Sequence, residues 1–502
     1  MNEQIELIIP NNSDLLSVVI NNANGIATLM GFEKTDIHKI ELGVEEAVGN
    51  IIKFAFEDGE KENIRIVFSI EDLGLGVSIF EKGMPFDPSI IAEFSPEKFK
   101  EDLSDEGLGM YLLKKFMDEF SFINHGKDGK ETRLFKYLHN KNVEEILDKE
   151  EKAKARQERE EEKLPKGSIK YKVRPLKPEE AVEVSRCAYT SYGYTYVHEA
   201  IYHPDRVRLM NENGDLISFV AVSDDGEVIS HCALEREEDR LVPQIGVAAT
   251  KPRFRGQGCL TELNIALIDE AKRRKFTGIY ARCITTHFFS QKSMIKHDLM
   301  PCALLVSSGK EREYKGIEQK IIQRESVLLQ FIYLNKPDEH FIFPPEKHKH
   351  FIGKIYDFIN AKPEIREADK HSDLPEKPCE ISINTNINSL VADIYVENYG
   401  KDLIRELAEN LRKLCRDGIK SIYLHLRLAD PYTAIMTEKI EEMGFFFAGI
   451  KPGSGNSDVI ILQYQNNHGI DYEYVAIGCD ESRQILEYVR EHDPNYQNNN
   501  KF

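Results

Sequence analysis

The sequence predicts an α/β (α+β) protein of three successive units, and three stretches carry that prediction. Residues 244–275 read as a strand, a glycine–arginine loop and a helix. Residues 36–80 read as one amphipathic helix followed by two strands. Between these, residues 142–163 consist almost wholly of charged, strongly helix-forming residues and divide the chain. The length of 502 residues suits about three domains. Acidic residues outnumber basic ones by 85 to 66, a net charge of −19, which argues against a general binder of nucleic acid or anionic membranes. The 8 cysteines stand singly with no CxxC pair, so neither a zinc site nor a disulfide framework is expected. The start, MNEQIELIIP, is too short and too acidic for a secretory signal. No apolar run reaches membrane-spanning length, so a soluble cytoplasmic protein is expected.

In the first unit, Ile37, Ile40, Val44, Val48 and Ile51 recur at helical spacing over residues 36–54 and face a core. Glu46 and Asn50, four apart, share another face of that helix. Strands are expected at 63–70 and 76–80. A glycine turn with Glu81 and Gly83 follows. A polar stretch then leads into Gly107, Gly109 and a helix over 110–118, and a strand carrying Thr132 closes the unit. This order of motifs resembles the ATP-binding α/β sandwich of the GHKL superfamily, and within it the anti-sigma-factor serine kinases. The resemblance covers nearly all of residues 1–140. It implies that Asn50 holds Mg²⁺ against the ATP phosphates, a task for a hard oxygen ligand. It implies Glu46 as the general base for a partner's serine hydroxyl, and Glu81 at the adenine-contacting carboxylate. Gly83 belongs to the same turn, Gly107 and Gly109 would present amides to phosphate, and Thr132 lies near the adenine. The family pattern has aspartate where this chain has Glu81, and the extra methylene displaces the carboxylate. Taken alone, Glu46 and Asn50 read better as ordinary polar residues of an amphipathic helix; the four motifs in order favour nucleotide binding. The family further implies a separate partner, an anti-sigma antagonist or a sigma-factor-like protein.

Residues 141–167 are expected to form a charged helical linker, a solvated spacer of about 30 Å at 1.5 Å per residue, ended by Pro165 and Gly167.

The second unit, 168–336, opens with a strand at 169–174 and a helix at 178–189. Tyr189, Tyr192, Tyr194, Tyr196, His198, Tyr202 and His203 follow closely. Tyrosine joins a rigid apolar body to a polar tip, which suits a small amine or a peptide acceptor, and equally suits a packing cluster. Strands at 215–223 and 227–234 precede the strand 244–250, which ends on Thr250. The loop Pro252–Gly258 leads into a helix at 259–275 with Leu260, Leu263, Leu267 and Ala271 on one face. Glycines there let main-chain N–H groups approach an anion, and the helix dipole favours negative charge.

This loop resembles the pyrophosphate loop of GNAT acetyltransferases, which bind acetyl-CoA. The family pattern runs Arg or Gln, two free positions, Gly, one free position, then Gly or Ala. Arg255 to Gly258 fits it with Leu260 as a departure at the last place. Arg253, Gly256 and Gly258 also fit the letters but misplace Pro252. A surface turn between strand and helix is the plain alternative. The resemblance implies cofactor contacts from Thr250, Arg255, Gly256, Gln257, Gly258, Cys259 and Leu260, and places Ser290 where the family often has a cofactor-contacting asparagine. Acetyl transfer needs a polarised thioester carbonyl, a base for the amine and an acid for the leaving thiolate. The family often takes that acid from a tyrosine in the helix expected at 288–297, and residues 286–300 hold none. His297 fills the slot in one alignment; Met294 fills it in another and leaves no acid. Glu235, at the end of a strand, is the candidate base.

Residues 337–490 repeat a strand–helix order similar to the second half of a GNAT fold, ending in Met443-Gly444-Phe445. Where a pyrophosphate loop would stand they read Glu397-Asn398-Tyr399-Gly400-Lys401-Asp402, a poor anion cradle, so a degenerate GNAT-like domain is expected. Residues 491–502 are expected to be a disordered tail. The reading of the whole is an acetyl-CoA-dependent N-acetyltransferase, acting on a small amine or protein, fused to an ATP-binding regulatory domain. The alternatives are a non-catalytic ATP- and acetyl-CoA-responsive regulator that binds a partner, and a serine/threonine kinase acting on an antagonist.

Overall fold

The chain opens with strand β1 (Glu3–Pro10) and helices α1 (Leu16–Leu29) and α2 (Lys34–Phe54). The apolar spacing that predicts α2 buries Ile40, Val44, Ala47 and Val48. Strands β2 (Asn63–Glu71), β3 (Gly74–Glu81), β4 (Glu119–Asn124) and β5 (Lys130–Tyr137) complete a sheet of order β1-β2-β3-β5-β4. Its inner face, with Ile64, Ile66, Phe68, Val77 and Ile79, closes one core with α1 and α2.

The coordinates are a computed structural model that describes residues 3–56, 60–71, 73–83, 112–113, 115–125, 129–138, 142–158, 167, 169–194, 196, 198–236, 241–310, 323–336, 340–369, 371–386, 389–453, 457–467 and 469–499. Gly107 and Gly109 lie outside the described residues.

The segment after residue 141 is not a free spacer along its described length. It breaks into α3 (Val143–Ile146), capped by the Asn142 side chain, and α4 (Lys149–Glu158). Val143, Leu147 and Ala155 are buried in a core with Ala181, Val184 and Ala188. Three apolar side chains, one in each helix and Leu147 between them, dock a segment that otherwise reads as solvated.

Strand β6 (Tyr171–Pro175), helices α5 (Ala181–Tyr192) and α6 (Pro204–Asn213), and strands β7 (Leu216–Ser223), β8 (Val228–Glu235) and β9 (Gln244–Thr250) follow. Then come α7 (Cys259–Arg273), β10 (Gly278–Ile284), α8 (Phe289–Ile295), β11 (Met300–Gly309), β12 (Glu325–Tyr333) and α9 (Lys349–Phe358). Helix α6 was not expected; its Pro204 start and Gly214 end are ordinary helix punctuation. Beyond it lie β13 (Glu380–Asn386), β14 (Val391–Asn398), α10 (Leu403–Arg416), β15 (Ser421–Arg427), α11 (Pro431–Glu441), β16 (Phe446–Lys451) and β17 (Val459–Gln465). Helices α12 (Asp480–His492) and α13 (Pro494–Asn499) end the described chain. The expected disordered tail is therefore helical over 494–499: Arg490 lies over the Tyr496 ring, and that ring meets Tyr472 edge-on at 5.6 Å.

Two compact units result. One holds residues 1–139, 374–424 and 464–468, with β13 alongside β4. The other holds residues 140–373, 425–463 and 469–502. In it, strands run in the order β16-β11-β12-β10-β9-β8-β7-β6, all neighbours antiparallel except β10 and β9. Helix α7 covers one face over Cys232, Leu234, Ile245 and Ile279, and α5 and α6 cover the other over Val220, Ala233 and Val247. Residues 337–490 are distributed over both units. Among the described residues, no helix is long and apolar enough to cross a membrane.

Candidate functional site

Strand β9 is the focus of the second unit. Its pairing with β8 slips between Ala233 opposite Gly246 and His231 opposite Ala249, and Val247 takes the left-handed value φ 49°. A β-branched residue rarely sits there, so this bulge is held by its surroundings. Among the described residues, β10 pairs with β9 only at Tyr280 opposite Gln244, so the two parallel strands part towards their C-terminal ends. Five consecutive carbonyls of β9 accept from side chains. Cys232 Sγ reaches Gly246 O at 3.3 Å, His231 Nδ1 reaches Val247 O at 2.8 Å and Tyr192 OH reaches Ala248 O at 3.0 Å. Ser230 Oγ reaches Ala249 O at 3.1 Å, and Arg255 Nε reaches Thr250 O at 3.3 Å.

The loop beyond Thr250 is a short 3₁₀ turn, Pro252–Phe254, followed by Gly256 (φ 87°) and Gly258 (φ 93°). A side chain at Gly256 would meet nothing within 4 Å, so its need for glycine is conformational. Gly258 caps α7 with no side-chain hydrogen bond, and the first helical bond runs from Glu262 N to Gly258 O. The amides of residues 259–261 therefore have no intrahelical acceptor, and they fit a diphosphate. Gln257 and Arg255 turn inward rather than to the cradle. Gln257 Oε1 accepts from Gly167 N at 2.9 Å, and the Gln257 carbonyl accepts from Tyr171 OH at 3.4 Å. Arg255 Nη2 reaches Ser191 O at 3.2 Å, while Arg253 is exposed. Cys259 is buried, which pushes its thiol up to about 11 and keeps it protonated. Leu260 packs on the core under α7.

On the opposite face the tyrosines gather at the same strand. Tyr192 and Tyr196 stack with centroids 4.7 Å apart, and the His198 ring lies 5.9 Å from Tyr196. Burial holds both phenols above their usual range. His198 Nδ1 lies 3.3 Å from Glu235 Oε1, and the buried Glu235 Oε2 has no partner among the described residues. Glu235 and His198, singled out separately in the sequence, are thus a pair. Ser290 and Met294 lie on α8, and Met294 is buried in the core under α7. His297 follows the end of α8 with Nε2 buried and without a partner among the described residues, and burial lowers its imidazole below the usual range. Nothing among the described contacts joins His297 to Glu235.

In the first unit, Asn50 Nδ2 donates to Glu46 Oε1 at 2.7 Å across one turn of α2. Glu81, at the end of β3, is 7% exposed and fully engaged. Its Oε1 meets Lys130 Nζ at 2.7 Å, directly across the β3–β5 ladder, and its Oε2 accepts from Gly83 N at 2.5 Å. Gly83 is required by a close approach: a Cβ there would stand 2.0 Å from Ala55 O. Thr132 is buried on β5 opposite Ile79. His231 and the lysine facing Glu81 are not evident from the sequence. A polar residue amid the apolar run of β8 was the available signal for the first, and strand register for the second.

Residues 9–136 match the histidine kinase-like ATPase domain family, and residues 182–293 match the acetyltransferase (GNAT) family. Serine-protein kinase RsbW of Bacillus cereus (strain AH820) is 29% identical over 146 residues, covering 28% of this chain and 89% of that protein. The same kinase of Bacillus velezensis is 27% identical over 146 residues, covering 28% and 90%. Among solved structures, an N-acetyltransferase from Staphylococcus aureus Mu50 is similar over 33% of this chain and 99% of that one, at 15% identity and TM-score 0.28. YhbS from Escherichia coli, in complex with CoA, is similar over 42% and 95%, at 17% identity and TM-score 0.24.

Proposed function

Because this chain joins a histidine kinase-like ATPase domain with RsbW-like relatives to a GNAT acetyltransferase domain, we propose that it transfers acetyl groups from acetyl-CoA to an amine under the control of bound nucleotide. The observation that carries this reading is the bulged β9, its carbonyls tied back by side chains, beside a glycine-led helix start whose first amides have no intrahelical acceptor. Bound acetyl-CoA supplies an acyl thioester. Gly256, Gly258 and the amides of Cys259 and Leu260 hold its diphosphate, with Arg255 and Gln257 bracing the loop and Thr250 and Ser290 lining the cofactor. Glu235, through His198, takes the amine proton. His297 is poorly suited as the acid, because burial favours its neutral form; water would supply that proton instead.

In the ATPase domain, Asn50 would hold Mg²⁺, which would neutralise phosphate charge, and Glu46 would act as base towards the hydroxyl of a protein partner such as an anti-sigma antagonist. Gly107 and Gly109 supply phosphate amides, and Thr132 borders the adenine. The ATPase role is assigned to residues 1–140 and the transferase role to residues 168–336. One observation favours a second reading, a non-catalytic sensor: both Glu81 oxygens are already engaged, so adenine must displace Lys130 or forgo the carboxylate.

An amine screen that follows CoA release separates the two readings: steady release establishes the transferase, and cofactor binding without release establishes the sensor. Radiolabel passing from ATP to a partner protein, and lost in Glu46→Gln, would add a kinase. By linkage, acetyl-CoA and ATP must change each other's affinity equally; ATP binding unaffected by acetyl-CoA ends the regulatory part.

A further inference from the structure

His231 is wholly buried in β8, and both ring nitrogens are bonded. Val247 O can only accept, so Nδ1 carries the proton. Nε2 must then accept, and the Ser218 hydroxyl donates to it at 2.9 Å. Ser218 Oγ in turn accepts from Asn211 Nδ2 at 3.0 Å, and Asn211 Oδ1 accepts from Ser218 N at 2.9 Å. Asn211 Nδ2 also donates to Val207 O at 2.7 Å on α6. Every hydrogen in this chain therefore has one direction, and it ends on the carbonyl of the one left-handed residue in β9. Burial in apolar surroundings holds the ring neutral, so that direction persists through the physiological range.

In a trans peptide the carbonyl and the following N–H point opposite ways. β9 lies between β8 and β10, and β10 has parted from it beyond Gln244. Tying Val247 O back to β8 turns the Ala248 N–H towards the gap. We propose that His231, oriented by Ser218 and Asn211, is a positioning residue that aims the Ala248 amide at the acyl carbonyl of the bound thioester. The proposal rests on the transferase reading above. His231 itself touches no reactant.

The test is infrared difference spectroscopy of acetyl-CoA labelled with ¹³C at the acetyl carbonyl, bound to the full chain, with CoA affinity measured in parallel by calorimetry. The native protein lowers the carbonyl stretching frequency relative to free acetyl-CoA. In His231→Leu that shift disappears while CoA affinity stays within about twofold, and acetyl transfer falls about 100-fold, as for loss of one oxyanion donor. His231→Asn keeps a donor where Nδ1 stands and restores the shift. Should His231→Leu fail to fold, Ser218→Ala, which removes the donor to Nε2 and leaves the ring held by Val247 O alone, shows a partial loss. A full shift retained in His231→Leu, or in Ser218→Ala when it alone folds, overturns the proposal. Acetyl-CoA bound to the native protein without any shift overturns it and leaves the transferase reading standing; no binding at all removes both.

Discussion

Protonating His231 should cost folding free energy, and the size follows from its surroundings. Burial takes its pKa from the ordinary 6.5 to about 4. The folded state thus refuses a proton that the unfolded chain accepts, so stability is complete above 6.5 and falls as pH drops towards 4. About 2.5 pH units at 1.36 kcal/mol each set a ceiling near 3 kcal/mol, and about 2 kcal/mol is lost by pH 5. That is a large part of the 5–15 kcal/mol typical of a domain, and so is measurable. The assay is urea unfolding followed by tyrosine fluorescence at pH 7 and pH 5, for the native chain and His231→Asn, since the chain has no tryptophan. Asparagine does not titrate, and all other groups are shared. The native chain should lose about 2 kcal/mol more than the variant between the two pH values. Equal losses would refute the reasoning, because they would mean that His231 binds its proton alike in both states.

Lys130→Met strands the buried Glu81 carboxylate and should destabilise the first unit by about 3–5 kcal/mol, whereas Lys130→Met with Glu81→Gln recovers most of it; thermal unfolding of the two variants decides. Gly83→Ala places a Cβ 2.0 Å from Ala55 O, so the turn after β3 must shift, and calorimetry should show ATP binding lost. Tyr171→Phe removes the one hydroxyl donor shared by Glu262 Oε1 and Gln257 O and should weaken acetyl-CoA binding by about 1 kcal/mol, roughly fivefold, in the same assay.

Most of the scaffold was legible because periodicity reports burial. Ile40, Val44 and Val48 mark α2, and Leu263, Leu267 and Ala271 mark α7, since those faces have to be covered. The glycine–arginine loop was legible because Gly256 and Gly258 hold left-handed conformations that few other residues tolerate. Docking of the charged segment was not, because Val143, Leu147 and Ala155 are too few to stand out against its charge. The helix at 494–499 was hidden for a similar reason: its composition is polar, and tertiary contact through Tyr496 decides its state. Side-chain direction was out of reach altogether. Nothing in the letters says that Arg255 turns to Ser191 O, that Glu235 meets His198, or that Glu81 faces a lysine. Those depend on register and on a bulge at Val247 that no local pattern announces.

The most direct measurement is calorimetric titration of acetyl-CoA into the full chain, beside a variant carrying Gly256→Glu and Gly258→Glu. Both changes put a carboxylate where a diphosphate should lie and force side chains onto φ 87° and φ 93°. Tight binding by the native chain that vanishes in the variant is the predicted result. Absence of binding to the native chain, or equal binding to both, would contradict the assignment of residues 250–260 as the cofactor site.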